Sequence, residues 1–164
     1  MADNKTPTEF AQKRVDDMMF PKKLQEAVKI AEGRNKSFGY KVRKKLFPGE
    51  IEFFKKNPKT PGYASFETDS IVLNPFTTLD AKRLSSLVDN EAIRLKMNKD
   101  KFVPSEFSFT PEQKEFFSKT EYNDNPVAMR QTILARIYAN DNSIPGGFTS
   151  EQREELKKYL SNGR

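Results

Sequence analysis

Neither histidine nor cysteine occurs among the 164 residues, and this narrows the chemistry the chain can perform. Without imidazole it lacks the commonest general base and metal ligand. Without thiol it has no disulfide, no sulfur nucleophile and no ordinary zinc site. The stretch DNEAIRL has Asp89 and Glu91 on a core-type helix, where a hydrolytic metalloprotease places its ligands, but no histidine accompanies them. Ser85 and Ser86 lie within the same helical pattern. Ser118, in SKT, lacks the strand-to-helix elbow that exposes a nucleophile. The glycines of Pro145–Gly147 are not followed by the Lys-Ser/Thr of a phosphate loop. What remains is carboxylate chemistry. Asp16 with Asp17, and Asp124 with Asp141, could attract magnesium or calcium, but such pairs are also usual on solvated faces. Glu91 reads as a boundary acid paired with Arg94 or a neighbouring lysine. The sequence therefore points away from an enzyme and calls for no cofactor or metal.

Charge is the stronger signal. Residues 1–60 hold fifteen basic and eight acidic side chains, whereas residues 61–164 hold fourteen and fifteen. Within GRNKSFGYKVRKKLFPG the cations Arg34, Lys36, Lys41, Arg43, Lys44 and Lys45 alternate with Phe38 and Tyr40. Such a mixture suits an acidic protein surface, where complementary charge speeds encounter and fixes orientation. It also suits single-stranded nucleic acid, whose phosphates meet cations while its bases stack on rings. An ordinary solvated face has the same composition. These eight residues are the candidate binding set. Fourteen phenylalanines, several in loops, add interface hot-spot character.

The elements that would position them are mostly helical. Thr8–Met19 and Pro21–Glu32 show short apolar stripes, the second ended by Gly33, and both are marginal unless docked. A helical turn or strand is expected around Tyr40–Phe47 and a short helix over 50–57, with Ile51 and Phe54 inward. PKTPG, Pro58–Gly62, breaks the chain. Tyr63–Phe66 and Ser70–Leu73 then form a hairpin, which must lean on helices because two strands alone are unstable. Leu79–Met97 is the clearest amphipathic helix, capped by Thr77 or Thr78, and Asn125 caps another that runs through Ala139. The fold class expected is mainly α: a small helical domain with one two-stranded β-hairpin, α+β. Residues 1–60 read as a basic, partly helical docking arm and 61–164 as the compact helical domain.

FTPEQKEFF, Phe109–Phe117, recurs as FTSEQREEL, Phe148–Leu156, thirty-nine residues later. In each copy the threonine hydroxyl and the glutamine three residues on form a capping box, with Pro111 or Ser150 at the first helical position. Beyond the box the periodicities diverge, so the repeat reads as helix-start chemistry used twice. Arg130 and Arg136 flank the apolar stripe between the copies. Arg136 suits a fixed ion pair, and Arg130 could face a groove.

SIVLNPFTTL, NEAIRLKM, FTPEQKEFF and NPVAMRQTILARI, followed by the last capped helix, together resemble small uncharacterised proteins of tailed bacteriophages over about Ser70–Leu160. That resemblance implies a virion-associated or morphogenesis protein, in the host cytoplasm or in the particle. MADNKTPTEF has no secretory h-region, and no apolar run approaches a membrane span. The function expected is a non-enzymatic protein-binding or assembly component whose partners carry acidic surfaces. Nucleic-acid binding through 34–59 is the alternative.

Overall fold

The computed structural model describes residues 22–43 and 46–162. The helix expected over Thr8–Met19 lies outside them, as do Lys44 and Lys45. The described chain forms two compact units that divide between Leu95 and Lys96.

The first unit is built from α1 (Lys22–Arg34), a single 3-10 turn (Lys36–Phe38), β1 (Lys41–Val42), α2 (Pro48–Lys56), β2 (Gly62–Ser65), β3 (Ser70–Leu73) and α3 (Ala81–Lys99) up to Leu95. The expected hairpin is present: β2 and β3 pair antiparallel, with Tyr63 opposite Val72. Its turn contains no glycine. Asp69 takes the left-handed conformation there, φ 49°, which a short polar side chain tolerates better than most. A third strand, β1, pairs parallel to β3 on the other side, Lys41 opposite Ser70, so the order is β1-β3-β2.

All four residues of β3 are buried, because both faces of the central strand are covered. Side chains alternate across a strand. Ile71 and Leu73 therefore join Ala27, Val28 and Ala31 of α1 and Leu84, Val88, Ala92 and Leu95 of α3 in one core. Val72, pointing the other way, meets Leu46, Ile51, Phe54 and Tyr63. Residues 22–60, read from the sequence as an arm, thus supply α1, β1 and α2 to the same unit as the hairpin. PKTPG turns the chain between α2 and β2 without separating them. The cap of α3 is Asp80 rather than Thr77 or Thr78: its carboxylate accepts the Arg83 amide at 2.8 Å. Thr77 instead accepts the Leu79 amide at 3.3 Å and shapes the approach.

The second unit holds α4 (Pro111–Ser118), α5 (Pro126–Tyr138) and α6 (Ser150–Asn162), with α5 packed on α6. Met129, Ile133, Leu134, Leu156 and Tyr159 are buried in it, together with Phe107, Phe117 and Ile144. Asn125 caps α5, accepting the Ala128 amide at 3.1 Å. The two repeats meet here. In each, the threonine hydroxyl accepts the glutamine amide at 3.1 Å and the glutamine carbonyl accepts the threonine amide at 3.0 Å. The two glutamine side chains then bond to each other, Gln113 Nε2 to Gln152 Oε1 at 2.8 Å and Gln152 Nε2 to Gln113 Oε1 at 2.7 Å. Each amide also donates to a carbonyl two residues before the other threonine, Gly147 and Ser108 respectively. Both side chains are fully buried. The duplication is an interlocked pair of helix starts.

Between α3 and α4 the chain runs without regular backbone pairing and is held by side chains instead. Gln131 donates to the Phe102 carbonyl at 2.8 Å, Glu155 accepts the Ser105 amide at 3.0 Å, and Arg130 donates to the Phe107 carbonyl at 3.3 Å. Buried or half-buried backbone groups need such partners where no ladder supplies them.

Candidate protein-binding surface

Six of the eight basic and aromatic residues singled out by sequence lie among the described residues, and their side chains have different surroundings. Arg34 ends α1 and is bound to Asp89 of α3, whose other oxygen accepts Asn35 Nδ2 at 2.6 Å. Asn35 is fully buried, so this network fastens α1 to α3, leaving the Arg34 side chain half exposed. Phe38 and Tyr40 pack against the core, and the Tyr40 hydroxyl donates to the Ala31 carbonyl at 3.1 Å. Those rings are structural. Lys36 and Lys41 are exposed. Arg43 is half-buried and engaged with Glu50. Lys44 and Lys45 lie outside the described residues.

Glu50 is the centre of what the structure does bring together. Its Oε1 accepts the Phe47 amide at 2.7 Å and Arg43 Nη2 at 2.6 Å. Its Oε2 accepts Arg43 Nη1 at 3.0 Å and the Tyr63 hydroxyl at 3.1 Å. The two-pronged arginine contact is the strong, direction-specific kind. The amide contact closes the first turn of α2, where Pro48 occupies the position that needs no donor. Burial, reinforced by the Glu50 charge and hydrogen bond, pushes the Tyr63 phenol up to about 12. It therefore remains a donor to Glu50 at every physiological pH.

Two exposed rings flank this network. Arg43 stacks over Phe47, 4.4 Å from the ring centroid, and Phe47 is 64% exposed. At the other end Phe53 sits edge-on to Tyr63 at 5.5 Å and to Phe54 at 5.4 Å, and it is 40% exposed. Phe47, Arg43, Glu50, Tyr63 and Phe53 thus form one connected strip. Lys55 and Lys56 in the last turn of α2 and Lys59 beyond it are exposed. Lys55 pairs with Glu52 at 3.4 Å with both side chains largely exposed, a contact that contributes little. Of this strip only Arg43 belongs to the candidate set read from the sequence; Phe47, Glu50, Phe53 and Tyr63 do not. Placing Ile51 and Phe54 inward on a short helix already turns Phe53 outward, and that signal was available. The Tyr63–Glu50 contact was not, because it depends on how β2 lies beside α2.

The second unit has a groove of about 490 Å³ lined by Asp100, Phe102, Ser105, Glu155, Lys158 and Tyr159. Asp100 and Tyr159, two of its polar groups, are already committed to each other. The Tyr159 hydroxyl donates to Asp100 at 2.7 Å and Lys96 Nζ donates to the same oxygen at 2.6 Å. Phe102 stacks on the Tyr159 ring at 4.0 Å. Burial and the Asp100 carboxylate push the Tyr159 phenol far above its ordinary value, so it is no base near neutrality. Lys96 and Tyr159, through their hydrogen bonds, hold the Asp100 carboxyl below its ordinary range.

Arg136 makes the ion pair its position suggested, to Asp141 at 3.0 Å, and Arg130 lies against phenylalanine rings. Glu91 is raised above its ordinary value by burial, against the opposing pull of Arg94 and the Ala64 amide. Among the described residues no three His, Cys, Asp or Glu side chains are grouped to hold a metal, and no helix is long and apolar enough to cross a membrane. Comparison of the chain with protein-family models, curated proteins and solved structures gave no match.

Proposed function

We propose that the protein is a non-enzymatic protein-binding or assembly component, and that it docks an acidic partner on the α2 face of its first unit. The observation that carries this reading is the pair of exposed rings, Phe47 and Phe53, mounted on a hydrogen-bonded network. Four hydrogen bonds converge on Glu50, so the Phe47 backbone, Arg43 and Tyr63, against which the two rings pack, are positioned before any partner arrives. Preorganised aromatic anchors of this kind dominate interface energies. Lys55, Lys56 and Lys59 supply positive charge at one end, which favours an acidic surface. The resemblance of Ser70–Leu160 to phage-encoded proteins supports a bacteriophage virion or its assembly as the setting, in the particle or in the host cytoplasm.

Nucleic-acid binding through 34–59 is the second reading, favoured by the exposed Lys36, Lys41, Lys55, Lys56 and Lys59. It is weakened because Arg43, the central cation, is neutralised by Glu50. Crosslinking in native lysate and in particles, repeated with Phe47→Asp and Phe53→Asp, tests the proposal. Expected is a discrete acidic polypeptide partner whose crosslinks disappear in both variants while the circular dichroism spectrum is retained. Unchanged crosslinks in both would sink it. Binding to oligonucleotides that falls steeply with salt, with no polypeptide partner, would favour the second reading.

A further inference from the structure

Arg130 differs from the other half-buried arginines. Arg43 and Arg136 each have a carboxylate, Glu50 and Asp141, and Arg94 lies beside Glu91. Arg130 makes no ion pair among the described residues, although it is half-buried. A guanidinium withdrawn from water is ordinarily paired with an anion. Its position is nevertheless fixed. Nε donates to the Phe107 carbonyl at 3.3 Å, and the guanidinium lies over the rings of Phe109 and Phe107, 5.1 and 5.8 Å from their centroids. The segment that carries those rings is fixed in turn, since the Ser108 carbonyl accepts from buried Gln152 at 3.1 Å. With Nε engaged, the two terminal nitrogens remain to meet a planar anion two at a time. Val127, one turn earlier on α5, is 38% exposed and puts an apolar contact on the same side of the helix.

We propose that Arg130 is a preformed carboxylate anchor on the second unit, which receives an acidic side chain of a polypeptide partner with Val127 as its apolar neighbour. The rings and the carbonyl have already removed the freedom of the arginine, so the anion meets an oriented fork rather than a mobile chain. The site uses no residue of the α2 face and stands or falls separately from it.

The test uses the full-length protein, labelled for nitrogen NMR of the arginine side chains, and titrates tetraglutamate, with a short oligothymidylate as the competing probe. Expected is a saturable shift of the Arg130 terminal nitrogens with tetraglutamate, larger than that of exposed Arg83. Arg130→Lys, which keeps the charge but loses the fork, should weaken binding roughly tenfold or more. An Arg130 response no greater than that of Arg83 would overturn the proposal. So would a response to oligothymidylate alone, or equal affinity in Arg130→Lys.

Discussion

Gln113 and Gln152 show how much one atom can matter. A capping box accepts glutamate as readily as glutamine, but each side chain here also donates from Nε2 to the other glutamine and to a carbonyl. Gln113→Glu keeps the cap, removes both donations and buries a charge. It should destabilise the protein by about 2–4 kcal/mol, and Gln152→Glu by a similar amount, as read by urea denaturation. The deficit should shrink in acid, where a protonated carboxyl can donate again. At the other network, Glu50→Gln removes a half-buried two-pronged ion pair and should cost about 1–3 kcal/mol. It should also bring the Tyr63 phenol back down from about 12, because the neighbouring charge is gone. Tyrosine-resolved NMR titration measures this directly. The sign for stability follows from a raised folded value. The contribution of Tyr63 is complete below the ordinary 10.0 and is lost as pH climbs from there through about 12.

The strands owe their fit to close approaches that helical propensity does not describe. At Gly62 an added Cβ would lie 2.7 Å from the Val72 carbonyl and 3.1 Å from the side chains of Leu73 and Leu87. The nearest of these is backbone and cannot swing aside. Gly62→Ala should therefore destabilise the hairpin by about 1–3 kcal/mol, visible as a lower melting temperature with no change in helix content. Glu91 on α3 gives the opposite case. Its carboxyl is raised by burial, so ionising it opposes folding, and stability falls as pH rises from the ordinary 4.5 toward the folded value. Glu91→Gln should stabilise the protein at neutral pH and flatten that limb of the pH–stability curve.

For the whole molecule, net charge and usable charge are different quantities. The formal +6 is concentrated in the first sixty residues, yet Arg34 and Arg43 are bound to Asp89 and Glu50. Association with an acidic partner should therefore depend mainly on exposed lysines, and chiefly through encounter rate. Reversing Lys55, Lys56 and Lys59 together to glutamate should slow association and reduce its salt dependence. Phe47→Ala should instead speed dissociation, by roughly tenfold or more for a hot-spot ring. Surface plasmon resonance across salt concentrations separates the two effects.

Much of this molecule was written in local patterns. The capping boxes, the Asn125 cap, the SIVL strand and the inward placement of Ile51 and Phe54 each follow from a few consecutive residues, because hydrogen-bond geometry and side-chain periodicity act over one or two turns. The absence of histidine and cysteine likewise removed whole chemistries without any coordinates. Tertiary structure decided whatever depended on residues distant in the chain. It showed that β1 pairs with β3, that Arg43 is neutralised by Glu50, that Phe38 and Tyr40 turn inward, and that two capping glutamines hold each other. Composition counts a cation or a ring wherever it occurs. Whether that group faces water, a carboxylate or the core is set by which elements pack together, and no local pattern specifies the packing.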